Sequence, residues 1–166
     1  MSTVPIYTAP TAELLSSLSL SADEFAALRT AAVDAKAVAY CPYSKFRVGA
    51  ALLAPSGRII VGGNVENASY PVTTCAERTA ICTAVTTFGE RAFRAVAVAT
   101  DVTPPASPCG MCRQAIREFC DLKTPIIMFD KDEKFSVLLL EQLLPLSFGP
   151  ESLPPPEALT AARGES

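Results

Sequence analysis

The sequence predicts an α/β domain, a mixed sheet of five strands covered by helices, and three observations predict it. Short apolar runs alternate with segments of helical periodicity in the order β-β-α-β-α-β-β. A further amphipathic segment stands in front of the first strand. Pro- and Gly-bearing stretches punctuate the joins, and such alternation favours a layered arrangement over separate helical and strand domains. At 166 residues a single domain is expected, long enough to bury a full core.

Residues 1–20 are rich in Ser, Thr and Pro and are set apart as an N-terminal extension. Ser21 and Glu24 then form an S-x-x-E capping box. Phe25, Leu28, Ala32, Ala35 and Ala39 recur at helical spacing, which predicts a helix over 22–40 stopped by Cys41-Pro42-Tyr43-Ser44. Small apolar residues over 47–54, the Pro55-Ser56-Gly57 turn and Ile59-Ile60-Val61 predict a buried hairpin whose second strand is broken by Gly62-Gly63. A polar loop follows over 64–71. Helices are expected over 75–87 and 109–120, strands over 93–100, 125–129 and 135–139, and a short helix over 141–144. The domain is drawn as 21–153, with a Pro-rich tail over 154–166 expected to be flexible.

Composition narrows the chemistry. Net charge is −3 and no basic tract is visible, which argues against gripping a polynucleotide backbone. No apolar run is long enough to span a bilayer, and MSTVPIYTAP lacks the basic and apolar regions of a secretory signal. The six cysteines are therefore expected as reduced thiols in a cytoplasmic protein. The chain has no histidine at all, so a general base must be a carboxylate, or a metal-activated water assisted by one.

Two segments carry the chemistry: Thr74-Cys75-Ala76-Glu77-Arg78 and Pro108-Cys109-Gly110-Met111-Cys112-Arg113-Gln114. Zinc favours thiolates, and a catalytic site uses three protein ligands with one position left for water. Cys75, Cys109 and Cys112 are the candidate ligands of one Zn²⁺ per chain. The first and last of these segments start helices, whose positive ends favour ionised sulfur. Three thiolates on Zn²⁺ leave a net negative charge, and Arg78 or Arg113 is placed to offset it, Arg78 the better of the two. Glu77 is the candidate proton carrier, a carboxylate beside the metal and not bound to it. Two other readings stay open on the motif alone. One is a closed four-cysteine site completed by Cys82 or Cys120; the other is a Cys109/Cys112 redox pair, which leaves Cys75 and Glu77 without a role.

C-A-E followed by P-C-x-x-C, with Cys109 standing 34 positions after Cys75, resembles the zinc deaminase signature. The likeness extends to Ser44-Lys45-Phe46-Arg47-Val48-Gly49-Ala50, to Asn64-Val65-Glu66-Asn67-Ala68-Ser69-Tyr70-Pro71, and to Leu143-Leu144-Pro145-Leu146-Ser147-Phe148-Gly149-Pro150. Together these segments resemble the small, homotetrameric cytidine deaminases that act on free nucleosides. The resemblance implies a three-layer α/β/α sandwich around the five-stranded mixed sheet. It implies hydrolysis of cytidine and 2′-deoxycytidine to uridine and 2′-deoxyuridine with release of ammonia, in pyrimidine salvage.

By the same resemblance, Cys75, Cys109 and Cys112 are zinc ligands and Glu77 the catalytic carboxylate. Asn64 and Glu66 match the pair that binds the ribose hydroxyls, and an acidic Glu66 would repel a nucleotide's phosphate. Phe46 and Phe148 match aromatics that flank the pyrimidine, Phe148 reaching in from a neighbouring subunit. Ala68 and Tyr70 match loop positions at the site, Tyr70 also across an interface, and Ala76 the residue whose backbone meets the base. Without the family, Phe46 and Phe148 would be core side chains and 64–66 a solvated loop.

Overall fold

The computed structural model describes residues 4–154. The part of the expected Pro-rich tail from 155 onward lies outside them. Five strands, β1 (Val48–Leu53), β2 (Ile59–Gly63), β3 (Ala95–Thr100), β4 (Pro125–Phe129) and β5 (Phe135–Leu139), lie side by side in the order β2-β1-β3-β4-β5. Only the β3–β4 pairing is parallel, so the sheet is mixed, as expected. Helices α1 (Ala12–Ser17) and α2 (Ala22–Ala35) lie on one face. Helices α3 (Ala76–Phe88), α4 (Gly110–Phe119) and α5 (Leu140–Leu143) lie on the other.

β3 shows how the sequence specifies the layers. Ala95, Ala97 and Ala99 belong to the core under α2, whereas Val96 and Val98 belong to the core under α3 and α4. Side chains alternate across a strand, so a small/branched alternation builds two differently shaped faces. On the α2 side Phe25, Phe129 and Phe135 cluster, with ring centroids 4.9–5.8 Å apart, around fully buried Leu28. Truncating Leu28 or Phe129 to alanine would cost on the order of 2–5 kcal/mol.

Four departures from the sequence expectations have physical causes. α2 starts at the predicted capping box, with Ser21 Oγ accepting from Glu24 N at 3.1 Å and Glu24 Oε2 accepting from Ser21 N at 2.9 Å. It ends early, at Ala35, and tightens into a 3₁₀ turn over Lys36–Val38. The reason is Tyr40: its N–H donates to Asn64 O and its carbonyl accepts from Glu66 N, so the chain is already extended there. Gly62 and Gly63 do not break β2 but complete it. A Cβ on Gly62 would run into the backbone of Ala76 and Ala80, so glycine here lets α3 lie directly on the sheet.

Residues 4–20, set apart as an extension, are packed against the domain. Tyr7 pairs with Phe135 along the β5 edge, Ser136 Oγ donates to Pro5 O at 2.6 Å, and Leu18 and Leu20 are buried. The helices expected to begin at Cys75 and Cys109 begin one residue later, which makes each cysteine an N-cap in extended backbone.

Candidate active site

Both N-caps point into one place. Cys75 caps α3, Cys109 caps α4, and Cys112 lies one turn into α4, so the packing of two helix starts gathers three sulfurs. Their Sγ atoms lie within 4.8 Å of one another, and Cys75 and Cys109 are 3.9 Å apart. Ligands of a tetrahedral zinc with Zn–S near 2.3 Å stand about 3.8 Å apart, so the sulfur spacing fits that ion. Among the described residues this is the one such cluster, and it contains neither Cys82 nor Cys120. Cys82 is exposed on α3, and Cys120 is buried at the far end of α4. The closed four-cysteine alternative has no fourth ligand in this cluster.

One of the sulfurs sits in an ionising environment. Cys75 is lowered to about 5, first by the Cys112 thiol against it and then by Arg78. Cys112 is pushed the other way, by donating to Cys75 and by burial. Arg78 Nη2 stands 3.7 Å from Cys75 Sγ and donates to Thr73 O at 3.0 Å. Arg113 is spent elsewhere, donating to Pro108 O, Leu143 O and Ser107 Oγ, each at 2.8 Å. Of the two arginines only Arg78 reaches a sulfur.

Glu77 follows Cys75 by two residues on α3 and is 3% exposed. Burial raises its carboxyl above the ordinary value, and the charge on Cys75 adds to the rise. A carboxyl in that setting holds a proton more readily than one in water, which suits a group that must carry one.

A cavity of about 460 Å³ opens over these groups and is lined by Cys75, Cys109, Glu77, Asn64, Glu66 and Phe46, among others. Its floor is the end of the sheet, where Val48, first in β1, pairs with Thr100, last in β3. Asn64 Oδ1 accepts from Val48 N and its Nδ2 donates to Phe46 O, both at 2.9 Å, so one amide N–H remains for a ligand. Glu66 accepts from the N–H groups of Tyr43 and Ser44 and from the Ser44 hydroxyl. Those bonds, Ser44's hydroxyl first, hold its carboxyl below the usual range and keep it charged.

Residues 23–128 match the family described as "Cytidine and deoxycytidylate deaminase zinc-binding region". The chain belongs to the cytidine deaminase family. A cytidine deaminase of Sporosarcina psychrophila is 48% identical over 119 residues, which are 72% of this chain and 87% of that protein. A probable cytidine deaminase of Dictyostelium discoideum is 44% identical over 124 residues, 74% of this chain and 82% of its own length. The crystal structure of the Burkholderia pseudomallei cytidine deaminase superposes with a TM-score of 0.71 at 41% identity, covering 74% of this chain and 98% of that one.

Membership in this deaminase family bears out the expected fold and a zinc cofactor, and the three-cysteine cluster is a possible metal site. The deaminase cavity gathers six of the residues singled out in the sequence and leaves others apart. Cys112 is buried behind it, Ala76 is fully buried at the start of α3, and Ala68 is exposed on its loop. Tyr70 and Phe148 are 70% and 59% exposed and do not line their own chain's cavity. Sequence reasoning missed Val98, Thr100, Thr73 and Ala106 as lining residues. Strand alternation assigns Val98 and Thr100 to a face but does not say that the helices leave that face open.

The deaminase has a larger cavity, about 710 Å³, on the side of Ser19, Arg94, Arg117 and Lys123. It contains none of the three clustered cysteines, and three of its four cations are already matched: Arg94 with Glu24, Arg117 with Glu151, Lys123 with Glu141. The candidate site is the smaller one.

Proposed function

We propose that this chain hydrolyses cytidine and 2′-deoxycytidine to uridine and 2′-deoxyuridine, releasing ammonia. The observation that carries the reading is one cavity holding a buried carboxyl, Glu77, beside the three-thiol cluster. Cys75, Cys109 and Cys112 would hold one Zn²⁺ through their sulfurs. When bound, that ion supplies a Lewis acid able to bring a water's pKa toward neutrality.

The chain's own groups do the rest. Glu77 takes a proton from the attacking water and delivers it to N3 of the ring, then gives one to the departing amine; cytidine and water become uridine and ammonia. Arg78 offsets part of the thiolate charge. Phe46 offers a flat apolar face to the pyrimidine. Glu66 accepts from a sugar hydroxyl and Asn64 donates to one through its remaining N–H. The charge on Glu66 disfavours a 5′-phosphate nearby, so nucleosides are preferred to nucleotides.

Phe148, Tyr70 and Leu146 support a homotetramer, since all three are large, apolar and exposed, Leu146 fully so. In that assembly Phe148 and Tyr70 complete a neighbour's cavity, while Ala68 lines the site and the Ala76 backbone meets the base. Six free thiols accord with a cytoplasmic enzyme of pyrimidine salvage.

Zinc content and cytidine turnover, measured for the wild type beside Glu77→Ala, test the reading. One zinc per chain in both, with turnover lost in the variant, is expected. Turnover that survives the substitution removes Glu77 from its role; wild type without turnover removes the activity.

A further inference from the structure

Thr100 is the last residue of β3 and is 2% exposed, and its hydroxyl oxygen is buried with no hydrogen-bonding partner. A buried hydroxyl without a partner destabilises the fold, and natural chains seldom keep one that nothing outside the chain completes. Packing does not call for it. Along β3 the positions facing α3 and α4 read Val96, Val98, Thr100, so a valine of the same shape would continue the pattern.

The hydroxyl's position gives it a use. Thr100 lines the 460 Å³ cavity with Glu77, Cys75 and Cys109, directly across the strand pair from Val48. Apart from one amide N–H, Asn64 is engaged with Phe46 and Val48, and Glu66 is engaged with Tyr43 and Ser44. Of the residues lining this cavity, only Thr100 carries a fully buried side-chain polar atom with no hydrogen-bond partner.

We propose that Thr100 contacts the substrate, its hydroxyl hydrogen-bonding the polar edge of the pyrimidine ring in the bound nucleoside. The inference rests on the nucleoside-deaminating reading and adds a partner on the base. Depth selects the base over the sugar. Thr100 and Glu77 are 2% and 3% exposed, deeper than the ribose-side pair, Asn64 at 7% and Glu66 half-buried. The ring must come to Glu77 for its amine to leave, into the cavity that Thr100 also lines. A hydroxyl also suits a ring edge that presents an amine before reaction and a carbonyl after, because it accepts or donates by rotating.

Thr100→Val removes the hydroxyl and keeps the shape. The expected result is a thermal midpoint equal to or above wild type, unchanged zinc content, and kcat/KM for cytidine reduced about tenfold or more. The uridine dissociation constant, read by calorimetry, rises with it. Thr100→Ser, which keeps the hydroxyl, stays within about threefold of wild type. Thr100→Ala loses the same group and carries the test if valine crowds the strand. Wild-type kcat/KM and uridine affinity in the valine and alanine variants overturn the proposal. So does a changed ratio of cytidine to 2′-deoxycytidine turnover, which would move the contact to the sugar. A wild type that turns over no cytidine is a different failure, that of the parent reading.

Discussion

Arg78 Nη2 stands 3.7 Å from Cys75 Sγ and binds the carbonyl of Thr73 at 3.0 Å, so one guanidinium ties the loop entering α3 to the sulfur at its tip. Three thiolates around a divalent cation carry a net negative charge, and this is the cation placed to reduce it. Arg78→Ala is expected to lower kcat or zinc affinity about 10–100-fold. Arg78→Lys should recover little, because a point charge cannot bond sulfur and carbonyl together as a planar fork does. Steady-state kinetics and chelator competition measure both.

Asn64 is a clamp as well as a ligand candidate. Asn64→Ala leaves Val48 N–H and Phe46 C=O without their partners, which is expected to cost about 1–3 kcal/mol in denaturant unfolding. The loosened Phe46 backbone and the lost amide N–H raise KM for cytidine. A variant with unchanged stability would show that neither bond contributes.

Glu24 has its carboxyl held below 4.5, first by the Ser21 N–H and also by Arg94, with burial opposing. A lowered carboxylate stabilises the fold above its unfolded value, and that contribution disappears as pH falls through the folded value. The thermal midpoint should therefore fall on acidification, and less steeply in Glu24→Gln. At neutral pH, Ser21→Ala should cost about 1 kcal/mol by removing the cap.

The elements of the candidate site were legible because they are local. Cys75, Glu77 and Arg78 fall within four residues, Cys109 and Cys112 within another four, and each group is set by one helix start. What stayed hidden depends on distant partners. Gly62 reads as a strand breaker until the α3 backbone is laid on it, and Tyr40 reads as helix until its pairing with Val65 is seen. Residues 4–20 read as an appendage because Phe135 and Ser136, which hold Tyr7 and Pro5, are more than a hundred residues away. Asn64's two hydrogen bonds, to Phe46 O and from Val48 N, and Thr100's place on the cavity floor, depend on strand register. The local pattern does not encode that register.

Phe148 gives a test of shared sites. Glu77→Ala and Phe148→Ala should each be nearly inactive alone. Unfolded together and refolded, they should regain part of the wild-type turnover, because some cavities then receive Glu77 from one chain and Phe148 from another. If Phe148 served its own chain's cavity, no mixture would recover activity.

X-ray absorption at the zinc edge of the purified protein tests the central arrangement most directly. One zinc per chain is predicted, with three sulfurs at about 2.3 Å and one light oxygen or nitrogen neighbour. Four sulfur neighbours, or protein that takes up no zinc, would contradict an open three-cysteine site beside Glu77.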